Sequence, residues 1–190
     1  MTGNRKLHRT LLMGATATAA ALLAMTPGTA LAGGLEPLEV QPYAAVPIDD
    51  ETVMGLLPEG AQNYVIADPA SFADAVDHAR GLPGEGLGRD SISVGTSVEQ
   101  GETRLVYGAW RLYGVPAAVV IVPEGADWGF AAQIVHLPGE PGWGTYYFDA
   151  DTEGGDSGLP GSYTVVAHDA AGDVFDEVEV TPFPGTPAGR

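Results

Sequence analysis

Asp149, Asp151, Glu153 and Asp156 place four carboxylates in one stretch of eight residues that also carries Gly154 and Gly155. Alternate acidic side chains in a tight loop converge on a hard cation, and calcium takes such an oxygen-rich shell. The stretch departs from the EF-hand pattern in two places. Glu153 stands where Asp or Asn is usual, and the twelfth position is Pro160, so the closing bidentate glutamate is missing. Calcium is the one cofactor this spacing suggests. The plain alternative is a solvated acidic connector between two strands.

A second motif overlaps the first. Gly155-Asp156-Ser157-Gly158 matches the nucleophile tetrapeptide of chymotrypsin-like serine proteases and makes Ser157 the catalytic candidate for a secreted hydrolase. That chemistry needs a histidine base and a buried aspartate. His78 falls in a helical stretch, His136 lies 21 residues before Ser157, and His168 follows it. None has the sequence context of that family's base. No two histidines are close enough in sequence to suggest a zinc pair. A third set is aromatic. Trp110, Trp143 and Tyr147, with Trp128 and Tyr146 beside them, all lie in or next to strand-like runs. On an exposed sheet face they would stack on sugar rings, as in carbohydrate-binding β-sandwiches; buried, they are core.

Composition narrows the field. The chain has 190 residues, 25 acidic against eight basic, and a net charge of −17. Arg5, Lys6 and Arg9 precede an apolar run, and Ala30-Leu31-Ala32 fits a small-x-small cleavage site, so residues 1–32 read as a secretory signal peptide. Its removal leaves five basic residues against 25 acidic, a net charge of −20, and no lysine. Without lysine there is no Schiff base or phosphate-loop lysine. Without cysteine there is no thiol nucleophile, zinc knuckle or disulfide. The charge argues against nucleic acid and against anionic membranes. It favours cations or a basic partner. No membrane insertion is expected after cleavage, and the expected location is extracellular.

The elements that must position these residues are strands. Residues 103–113, 117–122, 129–137, 143–149, 162–168 and 174–180 are six short runs rich in Val, Ile, Thr and aromatics, each bounded by Gly, Pro or Asp. Their connections are too short for helical crossovers, so antiparallel pairing is expected. The second run is apolar on both faces and belongs in the middle of a sheet. In the fourth, Tyr146 and Phe148 share one face and Trp143, Thr145 and Tyr147 the other. Both faces are aromatic, so one of them packs under a loop or stands exposed. In the last, Val174, Val178 and Val180 read as one face, with Phe175, Glu177 and Glu179 opposite.

Upstream, residues 33–50 read as an extended, mobile segment, and two short strands flank Pro58-Glu59-Gly60. A short helix is expected over about residues 71–80. Asp68 or Ser71 caps it, Asp74 completes a capping box, and Phe72, Val76 and Ala79 form its apolar stripe. Residues 81–88 read as a flexible loop and 91–97 as one strand.

The half from about Arg104 to Val180 resembles a β-domain common in secreted actinobacterial proteins. The likeness rests on Tyr107-Gly108, the Val-rich strand, the aromatic stretch Gly144 to Phe148, and a closing hairpin with Ala167, Asp169, Ala170 and Gly172. It implies a fold and carries no activity. The expectation is a mostly β protein, an antiparallel β-sandwich or partly open barrel with one short α-helix. A single domain spans residues 51–182, and 183–190 form a disordered tail. Its function reads as non-enzymatic binding of a protein or polysaccharide partner.

Overall fold

This computed structural model describes residues 35–99, 101–139, 142–153, 159 and 161–181. The expected signal peptide (1–32), the tail (183–190), Asp156 and Ser157 lie outside them. Among the described residues thirteen strands run in chain order: β1 (Leu38–Glu39), β2 (Val46–Pro47), β3 (Val53–Leu57), β4 (Asn63–Ala67), β5 (Ser91–Ile92), β6 (Gly95–Glu99), β7 (Glu102–Arg111), β8 (Ala118–Pro123), β9 (Phe130–Ala131), β10 (Gln133–His136), β11 (Trp143–Asp149), β12 (Tyr163–His168) and β13 (Val174–Val180). Helix α1 (Phe72–Ala79) follows β4, and a single helical turn, α2 (Ala150–Glu153), follows β11.

The strands form three sheets. An N-terminal sheet is ordered β2-β3-β4. A central sheet is ordered β1-β10-β11-β7-β5, with β6 also on β7. A C-terminal sheet is ordered β13-β12-β8-β9. Alternation along the central strands explains the stacking, because successive side chains leave opposite faces. Val106, Trp110, Ile134, Tyr146 and Phe148 pack against Val119, Ile121, Tyr163 and Val165 of the C-terminal sheet. Val135, Trp143, Tyr107 and Tyr147 pack the other way, onto Met54 and Leu56 of the N-terminal sheet. On that sheet's far side Leu57 meets Val76 and Ala79 of α1. The chain is therefore a sandwich with an extra sheet and a helix laid on one face. Both aromatic faces of β11 are core because the central sheet is covered twice.

Two glycines make the central packing possible. A Cβ on Gly108 would lie 1.9 Å from the Ser93 carbonyl oxygen, and one on Gly144 would lie 2.3 Å from the Val135 carbonyl oxygen and 2.6 Å from the Trp110 ring. Ser93 sits where the expected strand 91–97 breaks into β5 and β6. There the Tyr146 hydroxyl donates to the Ser93 carbonyl at 2.6 Å, and the Ala109 amide donates to Ser93 Oγ at 2.9 Å. Gly108 and Gly144, two of the residues on which the likeness rested, are thus packing positions.

Several expectations are corrected. The run 129–137 is two strands in different sheets: β9 pairs with β8, and β10 with β11. It turns the corner at Ala132, whose amide donates to Val119 O at 2.8 Å. Phe175 packs on the core with Val178 and Val180, while Val174 is exposed. The cause is a bulge: Ala167 faces Asp176 and His168 faces Val174, which leaves Phe175 without a partner and breaks the alternation. Residues 33–50 hold β1 and β2. β1 pairs parallel to β10, Gln133 Nε2 donates to Glu36 O at 2.9 Å, and the Tyr43 hydroxyl donates to Glu59 Oε1 at 2.5 Å under the Arg80 guanidinium. At α1 no Ser71 side-chain cap forms; Asp68 accepts from the Ser71 amide at 2.9 Å and from its hydroxyl at 2.5 Å. Residues 81–88 are pinned, with Ala61 N donating to Pro83 O at 3.0 Å and Leu87 N to Gln62 Oε1 at 2.8 Å.

Candidate functional site

A groove lies where the N-terminal and central sheets end side by side. β4 is the outer strand of one sheet and pairs with β3 alone; β6 is an outer strand of the other and pairs with β7 alone. Between them open two hollows that meet at Ile66 and Tyr107.

The smaller, about 430 Å³, is mostly apolar and lies under the 82–85 loop. Its aromatic wall is Tyr64 and Tyr107, edge to face with centroids 6.5 Å apart. The Tyr64 hydroxyl donates to Glu85 Oε1 at 2.7 Å. Burial, and then the Glu85 carboxylate, hold the Tyr64 proton on far above the usual tyrosine range.

The larger hollow, about 660 Å³, is acidic. Six carboxylates line it: Asp49, Asp50, Glu51, Glu99, Asp149 and Asp151. The first three sit on the β2–β3 turn, closed by Ile48 N donating to Thr52 O at 2.9 Å and by Glu51 N donating to Asp49 Oδ1 at 2.7 Å. Glu99 ends β6, and Asp149 ends β11. Arg104 on β7 is the one basic residue among the described lining residues. Its guanidinium donates to Asp151 and lies 3.5 Å from Glu102. Asp151, first, and then Glu102 raise its pKa further. One arginine against six acids leaves a strongly negative concavity, which concentrates cations and speeds the approach of basic ligands.

Asp149 and Asp151 therefore belong to this hollow. The Asp149 carboxylate accepts the Asp151 amide at 3.0 Å, residues 150–153 wind into α2 with Glu153 as its last residue, and Asp151 is taken up by Arg104. Among the described residues no three acidic, histidine or cysteine side chains gather as a metal site. Trp110 and Trp143 are not stacking platforms. Trp110 is fully buried, its indole N–H donating to Thr145 O at 3.2 Å, and Trp143 is 8% exposed in the core between sheets. Both were covered because β11 and β7 are covered on both faces. Tyr147 is half-buried against the N-terminal sheet, and burial raises its pKa. Among the described residues the exposed aromatics are Tyr113 and Trp128. His136 and His168 are buried in different sheets, each ring bonded to a backbone carbonyl.

Sequence reasoning missed Asp49, Asp50, Glu51 and Glu99. The run Asp49-Asp50-Glu51 was a visible signal, but its meeting with Asp149 depends on the stacking of two sheets. No protein-family model, curated protein or solved structure matches this chain.

Proposed function

We propose that this protein is a secreted, non-enzymatic binding domain whose acidic groove receives a basic polypeptide. The observation that carries the reading is the convergence of six carboxylates from three separate segments around one arginine in a 660 Å³ hollow. The adjoining apolar hollow adds a place for an uncharged side chain, so the combined groove suits a chain with both kinds of residue better than a lone ion. Secretion rests on the features of residues 1–32, and the net charge of the mature chain agrees with a basic partner.

Polylysine titration tests the reading. Binding should weaken steeply as salt rises. The paired change Asp50→Asn with Glu51→Gln should abolish most of it, while Glu177→Gln with Glu179→Gln on β13 removes the same charge elsewhere and should spare it. Equal losses in the two variants would show that overall charge, not the groove, attracts the polymer.

A further inference from the structure

We infer that the partner docks as an added β-strand on the outer edge of β6, which has no strand partner among the described residues. This inference deepens the groove reading and rests on it. An outer strand presents a row of unpaired backbone donors and acceptors, and natural proteins blunt such edges with charge or by keeping them short. Most of the other outer strands described follow that rule, and β4, five residues without a charge, is half-buried with Val65 packed beside α1. β1, β2 and β9 have two residues each, and β13 exposes Glu177 and Glu179. β6 does not. It runs five residues, Gly95-Thr96-Ser97-Val98-Glu99, exposed from Thr96 onward, and Val98 is 53% exposed. Only its last residue carries a charge.

β6 also borders the groove, across from β4. Thr96, Ser97 and Glu99 line the acidic hollow. At its other end the Tyr107 ring lies across Gly95, where a Cβ would fall 2.5 Å from the ring, and Tyr107 continues into the apolar hollow. A segment laid along β6 sends alternate side chains to the groove side. Near Gly95 that side chain meets Tyr107 and Tyr64; near Glu99 it meets the carboxylates of the 49–51 turn. Backbone bonds then supply affinity and the two hollows supply choice of side chain. Charge complementarity selects the occupant: an extended polypeptide segment with an apolar residue at one end and lysine or arginine at alternate positions towards the other.

The probe is a synthetic peptide alternating lysine and threonine with one leucine near an end, in two N-methylated forms blocking either the odd or the even amides. A strand bonds its neighbour through alternate residues, so one form loses its bonds to β6 and the other keeps them. The expected result is a loss of about tenfold or more in affinity for one form and little change for the other, with slowed amide exchange in Thr96 to Glu99 when the parent peptide binds. Equal weakening of both forms, or of neither, overturns strand addition. If the parent still needs Asp50 and Glu51 in that case, the groove reading survives. If the parent fails to bind, or binds the Asp50→Asn, Glu51→Gln variant equally well, the groove reading falls and strand addition falls with it.

Discussion

Replacing Tyr146 by Phe removes one oxygen from the middle of the sandwich. The ring stays buried between the central and C-terminal sheets. What is lost is the 2.6 Å bond to the Ser93 carbonyl. That carbonyl points inward because the edge strand breaks between β5 and β6, so no ladder partner takes over the bond. Losing a buried hydroxyl donor and leaving its acceptor unmet costs about 1–2 kcal/mol. For a domain of this size the melting temperature should fall by about 3–6 °C. Burial holds the Tyr146 proton on well above the ordinary tyrosine value, so the hydroxyl donates across the whole neutral range. Tyr147→Phe is the control. It removes a hydroxyl one residue along, on the opposite face, with no hydrogen bond among the described residues, and should cost less than about 0.5 kcal/mol. Differential scanning calorimetry of the three proteins decides. A Tyr146→Phe variant as stable as the parent, or a Tyr147→Phe variant equally damaged, would refute the idea that this hydroxyl holds the strand break in place.

Gly108→Ala should be more damaging than Tyr146→Phe, since its Cβ meets a backbone oxygen at 1.9 Å and not a movable side-chain end; urea titration should show a lower midpoint, with a loss of about 1–3 kcal/mol or more. Arg104→Ala should enlarge any rise in melting temperature caused by calcium, because it frees the Asp151 carboxylate from its guanidinium; equal shifts in parent and variant would place any calcium effect elsewhere. Stability should hold steady up to about pH 10 and fall from there to about pH 12. Burial pushes Tyr163 up to about 12 and raises Tyr146 as well, so the unfolded chain loses these protons first and draws the equilibrium towards itself. Urea midpoints across that range check the window, and a decline that starts near neutrality would point to a different group.

The mostly β class, the helix and most strands were legible because they depend on local chemistry. Val53 to Leu57, the α1 stripe and β8 each carry their own pattern. What escaped depended on layers. Period-2 reading of β11 gave two aromatic faces but could not say that two different sheets cover them, which is why Trp110 and Trp143 looked available to sugars. The bulge opposite Ala167 and His168 moved Phe175 across the sheet without leaving a Gly or Pro to mark it. Gly129 to Leu137 kept one strand-like pattern while changing partners at Ala132. The groove was least legible of all. Asp49, Glu99 and Asp149 are neighbours only through the stacking of the N-terminal and central sheets, which no local pattern of acids records.

The parallel pairing of β1 with β10 has a consequence in time. Its anchoring bond, from Gln133 to the Glu36 carbonyl, joins residues 97 apart. Contacts of such long range are slow to form, because a large loop must close before they contribute anything. The first strand of the fold therefore has no partner until β10 exists, and β10 in turn leans on β11. β1 comes first among the described strands but is among the last parts to settle. Pulse-labelled hydrogen exchange during refolding should find the Val40 amide, which donates to His136 O at 2.9 Å, protected no earlier than the β10–β11 ladder; earlier protection would mean that β1 joins β10 before β10 joins β11.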